Sequence, residues 1–219
     1  MNVLLFGATG MVGQGVLLEC LHDPGVARVL AVGRRATGQA HDKLRDLVVP
    51  DTADLSAVES QLTGFDACFF CLGVSSAGLS EERYTRLTYD LTLAVARTLA
   101  RLDPGMTFVY VSGSGTDSSE RGRIMWARVK GRTENALLAL PFKAAYMFRP
   151  AVIVPMHGVR SKTWWYRVLY ALTTPFYPAL KALLPNGITT TERVGRAMLA
   201  VARRGYSKPV LETRDINSL

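Results

Sequence analysis

Cysteine is scarce. Cys20, Cys68 and Cys71 are the only three in 219 residues, too few for a disulfide framework. That scarcity fits a reducing setting and leads us to expect a cytoplasmic protein. Histidine is as sparse: His22, His41 and His157 share no ligand-like spacing, so no metal site is expected. No run of about 20 apolar residues is free of charge and proline, which argues against a simple membrane span. The opening Met1-Asn2-Val3-Leu4-Leu5-Phe6 has no basic n-region and runs straight into a glycine motif, unlike a signal peptide. Repeats and low-complexity tracts are also absent. Acidic residues thin out along the chain: residues 1–150 set 16 Lys/Arg against 15 Asp/Glu, whereas residues 151–219 carry 10 against 3. Nearly all of the net charge of +8 therefore belongs to the last third, where an anionic partner, if there is one, would dock. No helix-turn-helix, zinc-finger or RNA-binding signature accompanies it, so no specific nucleic-acid partner is expected.

Apolar residues are plentiful, at 48%, enough for a sizeable core. Strand-like runs near Val3–Phe6, Val29–Gly33, Leu47–Val49, Ala67–Cys71, Thr107–Ser112 and Ala144–Phe148 alternate with helix-length segments near 11–22, 55–62, 81–101, 123–139, 164–183 and 191–204. Continuous apolar strands imply burial on both sheet faces, and the alternation implies βαβ units with right-handed crossovers. The fold class is α/β, a doubly wound parallel sheet in the order 3-2-1-4-5-6-7 (a Rossmann fold). We expect one domain over residues 1–219, in which 151–219 form a small helical cap and closing elements.

Gly7-Ala8-Thr9-Gly10-Met11-Val12-Gly13 follows the first strand and opens a helix. Gly7, Gly10 and Gly13 would allow a sharp turn, close approach to a pyrophosphate and tight helix–strand packing. Thr9, Met11 and Val12 would present backbone N–H groups at the helix N-terminus. An NAD site wants an acid about 20 residues past the motif, on the ribose 2′-hydroxyl. Ala31-Val32-Gly33-Arg34-Arg35 stands there instead, with no acid before Asp42. Arg34 and Arg35 can fork onto a 2′-phosphate, so NADP(H) is expected over NAD(H).

These residues resemble the short-chain dehydrogenase/reductases in their atypical and extended branches. More closely, the chain resembles an atypical group around the Tat-interacting oxidoreductase, often labelled epimerase-like. The likeness runs from Val3 through Arg149-Pro150 and more loosely to Asp215-Ile216, and Val129-Lys130-Gly131-Arg132-Thr133-Glu134 is its more particular stretch. The resemblance implies that Asp54-Leu55 meet adenine and that Leu72-Gly73 line the adenosine side. It implies catalysis by Ser112 or Ser114 polarising a carbonyl, with Lys130 on the nicotinamide ribose. The family's tyrosine, four residues before that lysine on one helix face, is here Trp126. An indole N–H donates a hydrogen bond but does not exchange a proton usefully near neutral pH. The family's helix asparagine is missing as well, with Tyr89-Asp90 in that region.

Three readings stay open. The chain is an NADP-dependent oxidoreductase with another proton source (water, Tyr84, Tyr89 or Tyr110), a redox sensor that binds NADP(H) without turnover, or an enzyme whose site tyrosine comes from elsewhere. Cys68-Phe69-Phe70-Cys71 sits inside a strand, where i and i+3 face opposite sides, so it reads as core. Ser112 and Ser114 lack the elbow of a hydrolase. The aromatic stretch 163–184 suits a helix pair on the sheet or a homodimer face, a wall over a lipophilic substrate, or a peripheral membrane contact. Only 69 residues follow Pro150, so a small or apolar carbonyl compound is expected as the substrate.

Overall fold

The computed structural model describes residues 1–156 and 187–219. The elements in chain order are β1 (Asn2–Phe6), α1 (Met11–His22), β2 (Arg28–Gly33), β3 (Leu44–Val48), a 3₁₀ helix (Ser56–Gln61), β4 (Ala67–Phe70) and α2 (Glu81–Thr85). A π-helical stretch (Arg86–Asp90) then leads into α3 (Leu91–Leu102), β5 (Thr107–Val111), α4 (Met125–Leu138), β6 (Ala144–Arg149) and β7 (Val152–Val154). Beyond residue 186 come β8 (Ile188–Thr190), α5 (Thr191–Arg204), β9 (Val210–Glu212) and α6 (Thr213–Ser218).

Seven strands form one parallel sheet in the order β3-β2-β1-β4-β5-β6-β9. This is the doubly wound order expected, with β9 in the seventh place. Side chains alternate across it. Val3, Leu5, Ala67 and Phe69 face a core shared with α1 and α5, while Leu4, Phe6, Cys68 and Phe70 face a second core with α3 and the 3₁₀ helix. On that second face Phe6, Phe70 and Phe108 stack in succession at 5.6 and 5.9 Å.

The helix α5 shows how local signals fix an end. The Thr190 hydroxyl accepts the Arg193 N–H at 3.1 Å, Arg203 and Arg204 occupy the last turn, and Gly205 at φ +72° stops it. Gly15 and Gly195 let α1 and α5 meet closely: a Cβ on Gly195 would lie 2.8 Å from the Glu19 side chain.

Several boundaries differ from expectation. β3 begins at Leu44 rather than Leu47, because an edge strand buries little and its Arg45 and Asp46 hide the pattern. The 55–62 helix is 3₁₀, and the 81–101 helix is interrupted by a π-helical stretch. The residues after Pro150 were read as helices, yet three short strands lie among the described ones: β7 pairs with β8, and β9 extends the main sheet. Three-residue strands carry too little periodicity to be seen. The expected 164–183 helix, the aromatic stretch 163–184 and His157 lie outside the described residues.

Candidate functional site: a cleft over the strand ends

The carboxyl ends of β1, β2 and β4 converge on the glycine turn. Gly7 has φ +84°, and a Cβ there would lie 2.7 Å from the backbone of Cys71 and Leu72. The Gly10 N–H closes the turn onto the Gly7 carbonyl at 2.8 Å. A Cβ on Gly13 would overlap that same carbonyl, so the first turn of α1 lies directly against the loop. Gly10 caps α1 without a side chain, and the first turn holds no acid, which leaves the positive end of the helix dipole for an anion. Met11 and Val12 are half-buried in that turn, and the Thr9 carbonyl accepts Gln14 Nε2 at 3.1 Å.

A cleft of about 370 Å³ opens here, lined by Gly7, Ala8, Thr9, the β2 end from Ala31 through Arg35, Thr37, Thr52 and Leu72. Arg34 and Arg35 are exposed at its rim, and no acid pairs with either among the described residues. Behind them Asp46 accepts the Thr37 N–H at 3.1 Å and its hydroxyl at 3.0 Å, fixing the loop after β2. After β3 the cleft is lined by Thr52, whereas Asp54 caps the 3₁₀ helix through the Ser56 N–H and hydroxyl and Leu55 is buried in the core. Those hydrogen bonds hold the Asp54 carboxyl below the usual carboxylate range. Gly73 is exposed next to Leu72 with open space around it. Thr37 and Thr52 were missed by sequence reading, because the turn that aims a residue after β2 or β3 has no fixed residue signature.

The next strand end, that of β5, is organised differently. The Ser112 hydroxyl is buried and lies 2.5 Å from Glu134 Oε1 and 3.1 Å from the Phe148 carbonyl. Glu134, 1% exposed, also accepts Arg149 Nε at 3.1 Å and Nη2 at 2.5 Å, and Arg149 reaches Ser118 Oγ at 2.5 Å. This chain ties β5, α4, β6 and the serine-rich loop together, and bonding to Glu134 raises the Arg149 pKa. Asp117 folds the loop back, accepting the Gly122 N–H at 2.6 Å and the Ser119 hydroxyl at 2.6 Å. A Cβ on Gly131 would overlap the Asp117 carbonyl, which explains a glycine next to Lys130.

Ser114 is exposed, with its N–H on the Pro150 carbonyl at 3.0 Å. Trp126 lies against Gly115 in the first turn of α4. Lys130, one turn later, donates from Nζ to the Ser112 carbonyl. Burial lowers its pKa to about 8, against the raising influence of Glu134. The structure thus gathers Ser112, Ser114, Trp126 and Lys130 at one strand end.

Two of the tyrosines considered as proton sources are elsewhere: Tyr84 and Tyr110 are buried and their pKa values are pushed up by that burial. Tyr89 is covered by the Arg132 guanidinium at 4.2 Å. Cys68 and Cys71 face opposite sides of the sheet, and burial pushes the Cys71 thiol up to about 12. Among the described residues no acid, histidine or cysteine cluster could hold a metal, and no helix is long and apolar enough to cross a membrane.

A parallel doubly wound sheet with a glycine-lined cleft at its switch point defines a dinucleotide-binding Rossmann protein. Residues 3–121 match the NAD dependent epimerase/dehydratase family, and the chain belongs to that family. It is similar to Protein fmp52, mitochondrial, of Emericella nidulans, 34% identical over 159 residues that span 69% of this chain and 66% of the relative. Protein FMP52, mitochondrial, of Eremothecium gossypii is 32% identical over the whole chain and 97% of its own length. Among solved structures, the Bordetella bronchiseptica enzyme WbmF in complex with NAD+ superposes with a TM-score of 0.66 at 18% identity, over 99% of this chain and 76% of that one. A UDP-N-acetylglucosamine 4-epimerase from Methanobrevibacter ruminantium M1 gives 0.70 at 14%, over 96% and 75%. These two show the fold. The expectation of a cytoplasmic setting is overturned by the names of the relatives, which are mitochondrial proteins. A cysteine count reports redox conditions and not an address.

Proposed function

We propose that the chain is an NADP(H)-dependent oxidoreductase acting on a small or lipophilic carbonyl compound. The observation that carries this reading is the pair Arg34 and Arg35, unpaired among the described residues at the rim of the glycine-lined cleft where an NAD-preferring site would hold an acid. In it, the first-turn N–H groups of α1 and the Gly7–Gly13 turn receive the pyrophosphate. Arg34 and Arg35 clamp the 2′-phosphate, and Thr52 and Leu72 flank the adenosine. When bound, the dinucleotide supplies or accepts a hydride at nicotinamide C4.

Lys130 would hold the nicotinamide ribose. Ser114 is the better candidate to polarise a carbonyl, since the Ser112 hydroxyl is engaged by Glu134 and Phe148. We read residues 1–219 as one unit in which 151–219 close the cleft. A second reading, a redox sensor without turnover, is favoured by Trp126 at the tyrosine position and by the buried Tyr84 and Tyr110.

The test is NADPH oxidation across a panel of aldehydes, ketones and quinones, with wild type and Trp126→Tyr. Wild-type turnover supports the enzyme; activity only in Trp126→Tyr supports the sensor. Cofactor binding with no turnover in either protein would remove the oxidoreductase reading.

A further inference from the structure

The oxidoreductase reading leaves one chemical gap: a carbonyl oxygen gaining electrons needs a proton, and the indole of Trp126 has none to give. The groups around the β5 end can be taken in turn. Tyr110, on β5, and Tyr84, on α2, are 1% and 2% exposed within the core. Tyr89, in the π-helical stretch, is covered by Arg132. Glu81, also on α2, is paired with Arg128 at 2.7 Å. Glu134 is committed to Arg149, which comes from β6, and to Ser112. Lys130 remains.

We propose that Lys130 is the proton carrier: its ammonium both holds the nicotinamide ribose and protonates the carbonyl oxygen, replacing the tyrosine that Trp126 displaced. The proposal rests on the reading above. Three features of the position support it. Lys130 emerges one helical turn after Trp126 and so shares its face of α4. Its Nζ sits at the carboxyl end of β5, one strand along from β4, whose end contributes Leu72 to the cleft. Among the described residues its single hydrogen-bond partner is the Ser112 carbonyl, which leaves two of three donors for ribose and substrate.

The position also tunes the group. Burial lowers the Lys130 pKa to about 8, near enough to neutrality for an ammonium to give up a proton. Glu134, already shared with Arg149, offsets that burial only in part. The step balances. The nicotinamide C4–H bond breaks and a C–H bond forms at the carbonyl carbon, so the dinucleotide is oxidised and the carbonyl reduced to an alcohol. One N–H bond of Lys130 breaks as the O–H bond forms, and water reprotonates the amine.

Two measurements test it. In the first, the protein is reductively methylated with ¹³C-formaldehyde and its lysine signals are titrated by NMR; the signal missing from Lys130→Arg should titrate near pH 8. In the second, 9,10-phenanthrenequinone reduction by NADPH is followed against pH. Wild-type activity should fall above pH 8. Arginine keeps the charge but cannot release a proton, so Lys130→Arg should weaken NADPH binding by no more than about 10-fold yet turn over at least ~100-fold more slowly. A Lys130 signal titrating in the ordinary lysine range, or a Lys130→Arg variant with wild-type rate and profile, overturns the proposal. Wild type that binds NADPH without reducing the quinone overturns it too. Failure to bind any dinucleotide overturns the oxidoreductase reading itself.

Discussion

At the ends of β1, β2 and β4 the cleft offers backbone N–H groups, space that only glycine leaves, and two arginines that no acid pairs with among the described residues. At the end of β5, a strand further on, Ser112, Glu134, Arg149 and Ser118 are bonded to one another. In the first region the two arginines and the first turn of α1 are left open among the described residues, which suits a bound anion. The second is largely satisfied already, with Lys130 and Ser114 as the side chains left over. Phosphate binding and proton transfer would thus be decided in different places. A family motif that predicts binding therefore says little about turnover.

If the second region is a structural knot, breaking it should cost stability first. Glu134→Ala leaves the Arg149 guanidinium, 12% exposed, with only the more exposed Glu212 at 3.4 Å and should destabilise the protein by about 3 kcal/mol in urea unfolding. A loss below about 1 kcal/mol would mean that Arg149 finds water instead.

The glycine region should fail the opposite way. Gly13→Val places a Cβ on the Gly7 carbonyl, so NADPH affinity should drop by at least ~100-fold, about 2.7 kcal/mol, in a fluorescence titration. Undiminished binding would show that the turn can relax.

Within that region, Arg34→Ala with Arg35→Ala should weaken NADPH by about 10–100-fold, the worth of charge-assisted bonds of about 1.5–3 kcal/mol, and leave NADH unchanged. Equal losses for both cofactors would remove the 2′-phosphate assignment.

Lys130 sharpens the comparison through pH. Its pKa in the fold, about 8, lies below the ordinary 10.5, so across that interval the unfolded chain binds the proton that the native state has released. Stability should therefore rise as pH increases through 8, the penalty for the buried charge being complete below it. Lys130→Met should be free of that rise, measured as the difference from wild type in urea midpoints between pH 7 and 9.5. The smallest effect is expected far from both regions: Thr190→Ala removes the α5 cap and should cost about 1 kcal/mol with no change in cofactor affinity.

The sequence was legible wherever local chemistry decides structure. The Gly7, Gly10 and Gly13 spacing and continuous apolar strands such as Ala67–Phe70 are read from periodicity and turn residues, and the strand order follows from the doubly wound class they indicate. It was opaque where tertiary neighbours decide. Ser112 looked like a carbonyl polariser, but no spacing reveals that Glu134, 22 residues later, would take its hydroxyl. Tyr84 and Tyr110 were indistinguishable from surface tyrosines until the core formed over them. Thr52 rather than Asp54 lines the cleft because the turn after β3 sends the carboxylate to cap the 3₁₀ helix.

The central claim is that the unsatisfied end of the cleft takes a phosphorylated dinucleotide. Thermal unfolding with NADPH, NADP+, NADH and NAD+ tests it most directly. At about 100 times its dissociation constant a native-state ligand adds about 2.7 kcal/mol, a shift of several degrees. The account predicts such a shift with NADPH and NADP+ and a much smaller one with NADH and NAD+. Equal shifts with all four would contradict the role of Arg34 and Arg35, and no shift with any would contradict the claim itself.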